Sequence, residues 1–147
     1  MKTIGILFFL FVSAAFVARA QEPPAKAKET FERVCGTCHK PEAALSARRS
    51  RDQWTESIEG MISRGAKISD EEFATVLDYL VRQYGKVNVN RGTVDEMVEV
   101  LGVTAQEADA IVKYRADKGK FEDFAALSKV PGVDVQKLEK NRVAIGF

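Results

Sequence analysis

Cys35, Cys38 and His39 are the residues whose types and spacing could do chemistry in this chain. They lie in Val34-Cys-Gly-Thr-Cys-His-Lys40 and comprise both cysteines and the sole histidine of 147 residues. A Cys-x-x-Cys pair serves as a redox disulfide, as half of a zinc site, or as the anchor of a covalent haem. A zinc site would need two more ligands, and carboxylates would have to supply them. A redox pair belongs beside a strand of a βαβ unit. Here Ala27, Phe31, Val34, Cys35 and Cys38 instead recur at helical spacing, over about residues 26 to 38. Two thiols at i and i+3 on one helical face can each add to a haem vinyl group, and the next histidine then falls beneath the iron. The spacing predicts Cys35 and Cys38 as covalent anchors of one haem c (iron) per chain, with His39 as an axial ligand.

Met61 and Met97 are the methionines available for the opposite face of the iron. Met97 falls on the core face of a later helix. Met61 shares a stripe with Trp54 and Ile58, where a methionine often only fills space. A domain of about sixty residues built on a haem has little other core, so a core-facing Met61 is expected to touch the porphyrin. Arg48, Arg49 and Arg51 are read either as partners of haem propionates or of an acidic protein, or as a solvated loop.

The elements that must position these residues are helical throughout. Residues 1–20 carry one lysine, an apolar run and a closing Ala18-Arg-Ala20, the layout of a signal peptide cleaved after Ala20. The apolar run is shorter than the ~20 residues of a spanning helix, so no stable membrane span is expected after cleavage. Cleavage removes two of 22 basic residues, leaving 20 against 21 acidic, a balance that gives no pull toward nucleic acid. Helices are predicted over about residues 51–63, with Trp54, Ile58, Met61 and Ile62 on one face, and from the Ser69–Glu72 capping box to Tyr84.

Beyond Gly85 the pattern changes. A short alternation, Val87-Asn-Val-Asn90, precedes capping boxes at Thr93–Glu96 and Thr104–Glu107. The order helix, Leu-Gly-Val, helix then returns as helix, Pro-Gly-Val, helix, an internal duplication. The chain divides into a signal peptide (1–20), a first domain (21–85) and a second (86–147).

Residues 26–85 resemble a small c-type cytochrome domain, as found alone or attached to quinoprotein dehydrogenases. The likeness extends from the cysteine motif to Arg48-Arg-Ser-Arg-Asp-Gln-Trp54, Met61, Ser69-Asp-Glu-Glu72, Val76-Leu-Asp-Tyr-Leu80 and Tyr84-Gly85. It implies three or four helices around a haem, Phe31 packed near Tyr79 and Leu80, and Met61 as the ligand methionine. The Gly-Pro pair that orients the axial histidine in many such domains is absent, which leaves the partner of the His39 ring N–H unassigned.

Residues 87–147 resemble the tandem helix-hairpin-helix module of the DNA-uptake receptor of competent bacteria. The resemblance rests on Val87-Asn-Val-Asn90, Leu101-Gly-Val103, Tyr114-Arg115, Gly119-Lys-Phe121 and Val130-Pro-Gly-Val133. In DNA-binding members the hairpin ends in a second glycine, and its backbone amides hold a phosphate. Thr104 and Asp134 stand at that place here and read as N-caps. With nine basic and ten acidic residues from Val87 to Phe147, DNA is disfavoured, although Lys113, Arg115, Lys118 and Lys120 could form a basic face. Protein docking is expected instead, as in the helix-hairpin-helix subunit on the lumenal side of photosystem II.

The fold class expected is all-α, a cytochrome c-like helical haem domain followed by a small tandem helix-hairpin-helix domain. The function expected is an exported, periplasmic carrier of single electrons through a His39/Met61 haem, without enzymatic activity. Its partners would be redox proteins, such as a quinoprotein dehydrogenase or a terminal oxidase. The alternative is a DNA-binding or DNA-uptake component of the cell envelope with an attached haem domain.

Overall fold

The computed structural model describes residues 25–147, so the signal peptide and its cleavage after Ala20 lie outside the described residues. The chain is mostly helical, as expected. Helices α1 (Ala25–Cys35), α2 (Glu42–Leu45), α3 (Arg51–Ile62) and α4 (Asp70–Tyr84) come first. After a two-residue strand β1 (Val87–Asn88) follow α5 (Val94–Leu101), α6 (Ala105–Lys118), α7 (Phe124–Leu127) and α8 (Val135–Lys140), then a 3₁₀ turn (Arg142–Ala144) and β2 (Ile145–Gly146).

The helix starts follow local hydrogen-bonding chemistry. Ser69, Thr93 and Thr104 each close a reciprocal capping box with the Glu three residues on. Ser50 does the same with Gln53 at the head of α3, a cap hidden in the basic run. Each box satisfies amide donors that would otherwise be orphaned in the first turn.

Helix α1 ends earlier than its apolar spacing predicts. Residues 36–38 form a turn in which the Gly36 N–H donates to Glu32 O (2.9 Å) and the Thr37 hydroxyl donates to Arg33 O (2.8 Å). Glycine is a poor helix former, and a threonine that bonds back to the preceding turn competes with the helix. Cys35 therefore closes the helix and Cys38 sits in the turn, so the two thiols do not share a helical face. Helix α2 is a further departure, arising where Pro41 O accepts the Leu45 N–H (3.3 Å).

Helix α4 is the spine of the first half. Phe31 of α1 lies 5.1 Å, ring to ring, from Tyr79 of α4, as the resemblance implies. Arg33 pairs with Glu72 across the same contact at 2.6 Å. Helix α3 is tied to the end of α4 by the Trp54 indole N–H, which donates to Tyr84 O (3.1 Å).

The buried cluster does not stop at Gly85. It runs from Phe31, Trp54, Leu77 and Leu80 through Val87 and Val89 into Met97, Leu101, Ile111, Leu127 and Leu138. Arg51 clamps the two halves together. Its Nε and Nη2 donate to both carboxylate oxygens of Glu99 on α5 (3.1 and 2.5 Å), and Nη2 also meets Asp78 of α4 at 2.7 Å. The C-terminal half is closed by parallel pairing of β1 with β2, Val87 opposite Ile145 and Asn88 opposite Gly146.

Met97 is fully buried, so Met97→Ala should cost roughly 2–5 kcal/mol. The continuity of the cluster adds a sharper expectation. Trp54, the single tryptophan, sits in the other half, yet its fluorescence in denaturant should report the same lowered midpoint as far-ultraviolet circular dichroism. Two separate transitions would contradict a shared core.

Candidate functional site

The first half encloses a cavity of about 200 Å³, and Cys35, Cys38, His39 and Met61 all line it. Its walls are otherwise chiefly apolar, with Phe31, Trp54, Ile58 and Leu80 among them. Helix α1 delivers Cys35, the turn after it delivers Cys38 and His39, and the end of α3 delivers Met61. Both thiols are free, Cys35 half-buried and Cys38 exposed. Burial pushes the Cys35 thiol above its ordinary value, which keeps it protonated and a poor nucleophile until activated.

His39 Nδ1 lies 3.1 Å from Lys40 O. A carbonyl only accepts, so Nδ1 is the donor in this contact, which in a neutral ring leaves Nε2 as the nitrogen able to bind a metal. Met61 is half-buried, and its carbonyl accepts the N–H groups of Arg64 (3.1 Å) and Ala66 (3.0 Å). Met97 lies in the core of the other half, well apart from this cavity. Among the described residues, no group of three or more His, Cys, Asp or Glu could hold a metal ion, which leaves the zinc alternative without a ligand set. Two thiols, an imidazole with a free nitrogen and a thioether around an apolar hollow fit a covalently held haem.

Arg48, Arg49 and Arg51 have other work. Arg48 donates to the carbonyls of Gln83 (3.1 Å) and Gly85 (3.3 Å) at the C-terminal end of α4. Arg49 lies over the Trp54 ring at 4.7 Å, and Arg51 forms the clamp to Glu99 and Asp78.

In the second half, the duplication appears as two hairpins. Gly102 (φ 65°) links α5 to α6 and Gly132 (φ 82°) precedes α8; left-handed backbone of this kind favours glycine. Thr104 and Asp134 are N-caps, the Asp134 carboxylate accepting the N–H groups of Gln136 and Lys137. Glu107 joins the hairpins. Its carboxylate accepts the Thr104 N–H of one hairpin (2.6 Å), the Asp134 N–H of the other (3.0 Å) and the Lys137 ammonium (3.0 Å). Asn141 adds a second tie, donating to Leu101 O (2.9 Å).

Burial alone would raise the Glu107 carboxyl. The Thr104 N–H, Lys137 and the Asp134 N–H together outweigh that and hold it down at about 2. The carboxylate occupies the donors of the two hairpin caps, while the first-turn amides of Ala105, Gln106 and Val135 have no intrahelical acceptor.

The charge balance looks different once partners are assigned. Glu96, Glu107, Asp123 and Asp134 cap helices, and Glu99, Asp109 and Glu139 are paired with Arg51, Lys113 and Arg142. Of the predicted basic face, Lys113 is held by Asp109 and Arg115 donates to Val89 O (2.6 Å). Arg91, Lys118, Lys120, Lys129 and Lys140 are exposed and have no ion-pair partner among the described residues. Only Asp95, Asp117 and Glu122 remain uncommitted among the acids.

Residues 82–145 match the family model of the helix-hairpin-helix motif. The second half is similar to this motif over nearly its whole length. Relatives align with about this much of the chain. ComE operon protein 1 of Bacillus subtilis (strain 168) is 34% identical over 59 residues, covering 40% of this chain and 29% of that protein. An uncharacterized protein of Haemophilus influenzae (strain ATCC 51907 / DSM 11121 / KW20 / Rd) is 41% identical over 63 residues, covering 42% of this chain and 56% of its own length. Endonuclease/exonuclease/phosphatase family domain-containing protein 1 of Xenopus laevis is 38% identical over 60 residues, 41% of this chain and 11% of that protein. The chain thus spans between about a tenth and just over half of these relatives. No solved structure matches.

These matches correct the functional expectation. The reading as a cytochrome carrying electrons, with a hairpin half that docks a protein and disfavours DNA, gives way to its alternative, because the similarity falls on the hairpin unit. The physical error lay in counting charge over the whole half. A net charge says nothing of where the charges lie, and hairpins meet phosphate with backbone amides as well as with side-chain charge.

Glu107 yields a test. Its folded value lies below the ordinary 4.5, so its stabilisation is fully present above that pH and is lost as pH falls toward 2. A shift of that size corresponds to about 3 kcal/mol. Glu107→Gln should lower stability by an amount of that order at pH 7 and flatten the acid dependence between pH 4.5 and 2 in urea titrations. A variant with unchanged stability at pH 7 would mean that the hairpins are held by other contacts.

Proposed function

We propose that the protein is a DNA-binding component of the cell envelope, exported by its N-terminal segment, with the hairpin half as the DNA-contacting part. The observation that carries this reading is the helix-hairpin-helix match over residues 82–145. The resemblance of residues 87–147 to the DNA-uptake receptor's tandem module supports it, and so does the surplus of uncommitted basic side chains. The first-turn amides of Ala105, Gln106 and Val135, which lack an intrahelical acceptor, would meet phosphate oxygens, with nearby lysines adding sequence-independent attraction. Among the described residues, no helix is long and apolar enough to cross a membrane.

In the same reading the first half, residues 21–85, is a domain holding one haem c. Cys35 and Cys38 would hold it covalently, and His39 and Met61 would supply ligands to its iron. Bound there, the group supplies an iron centre for a sensing or structural role. The protein's part would be to hold the ring through Cys35 and Cys38, to present His39 and Met61 as ligands, and to keep water from the apolar wall.

Fluorescence anisotropy with duplex DNA tests the first half of the proposal. Binding at about 50 mM salt in the micromolar range or weaker is expected, falling steeply with added salt. Lys129→Ala combined with Lys140→Ala should reduce the salt slope by about 2. Lys113→Ala, which removes a side chain already paired with Asp109, should leave it unchanged. No retention of DNA at low salt would refute the reading.

The cofactor is tested separately. Protein made with haem-attachment machinery should be red and keep its colour through acid-acetone extraction. Met61→Ala should open the iron to carbon monoxide, whereas Met97→Ala should not. Freely extracted colour would rule out thioether attachment, and carbon monoxide binding by the unaltered protein would remove Met61 as a ligand.

A further inference from the structure

One cation stands apart in the first half. The cavity is lined mainly by apolar side chains, and among the described residues no carboxylate lines it and Arg64 is its only permanently charged residue. Arg64 is exposed at the cavity rim and has no hydrogen-bond or ion-pair partner for its guanidinium among the described residues. Four other arginines of this half are already engaged: Arg33 with Glu72, Arg48 with backbone carbonyls, Arg49 over Trp54, and Arg51 with Glu99 and Asp78.

The backbone around Arg64 is fixed by a tight turn. Arg64 N and Ala66 N both donate to Met61 O, Gly65 N donates to Ile62 O (2.9 Å), and Gly65 takes φ 102°. Arg64 is thus held beside Met61 by three hydrogen bonds that close the end of α3.

We propose that Arg64 receives the acidic substituent of the molecule bound in this cavity, so that the ligand class is an extended apolar molecule carrying a carboxylate. The proposal rests on the reading of the cavity as a haem site, and it assigns the carboxylate partner to Arg64 instead of to Arg48, Arg49 or Arg51. An apolar hollow with a single rim cation and no rim anion selects an amphiphile by orientation. The apolar body leaves water, and the acid stays at the mouth against the guanidinium, where planar carboxylate recognition is favoured.

The test uses the full chain produced without haem attachment, with metal-free protoporphyrin IX and its dimethyl ester as probes. Quenching of Trp54, which lines the cavity, reports binding at this place. A rim-exposed pair contributes modestly, so the preference for free acid over ester should be about 5-fold greater in the unmodified chain than in Arg64→Gln at low salt. Arg64→Lys, which keeps the charge, should retain most of that preference, and added salt should erase it. A preference for the acid that persists in Arg64→Gln overturns the proposal while leaving the cofactor reading intact. Failure of both porphyrins to quench Trp54 overturns the cofactor reading and this assignment with it.

Discussion

Two hairpins separated by about thirty residues can act on one ligand only if something fixes them side by side, and that constraint falls on Glu107. Its carboxylate spans the Thr104 and Asp134 N–H groups and takes the Lys137 ammonium as counter-charge. A buried carboxylate is costly unless nearly all its lone pairs are satisfied, and here four donor contacts satisfy them. Removing any partner would leave charge exposed to a low-dielectric environment, so the arrangement holds or fails as a unit. It also shapes the outer face: the cap donors are consumed internally, and what remains for a phosphate is the next amides along, at Ala105, Gln106 and Val135.

Helix α3 connects that half to the cavity. Trp54, Ile58 and Met61 line the cavity, while Arg51 at the head of the same helix grips Glu99 of α5, the helix that leads into the first hairpin. Trp54 does both jobs, packing at the cavity and donating to Tyr84 O where α4 ends. The division near Gly85 is therefore a change of pattern along the chain across which the buried cluster continues. Any movement of α3 that follows filling of the cavity would be felt at Arg51 first.

The sequence was most legible where the deciding interactions are local. The capping boxes at Ser69, Thr93 and Thr104 were readable because partners three residues apart settle them, and so were the N-cap roles of Thr104 and Asp134. Residues that meet across long separations were not. The pairing of Val87 with Ile145, the Arg51 clamp to Glu99 and the bridge from Glu107 to Asp134 each need the fold to exist before they can be seen. Periodicity also overran the end of α1, since apolar spacing reports a face and is blind to a glycine followed by a threonine that bonds backward. Charge counting misled for a related reason. A net charge sums side chains regardless of partner, and most acidic residues of the second half are committed to caps or ion pairs. At the cavity, Cys35, Cys38, His39 and Met61 were singled out in the sequence and all line it, whereas Arg64 carried no signal until its neighbours and the cavity rim were known.

DNA binding by the second half turns on whether the first-turn amides of the two hairpins meet nucleic acid. Backbone amide resonances followed by nuclear magnetic resonance during titration with a short duplex address this directly. Concerted shifts at Ala105, Gln106 and Val135, larger than those of residues 25–62 and reversed by salt, are the predicted result. Unmoved hairpin amides under conditions where DNA is bound, or shifts confined to the cavity half, would contradict it.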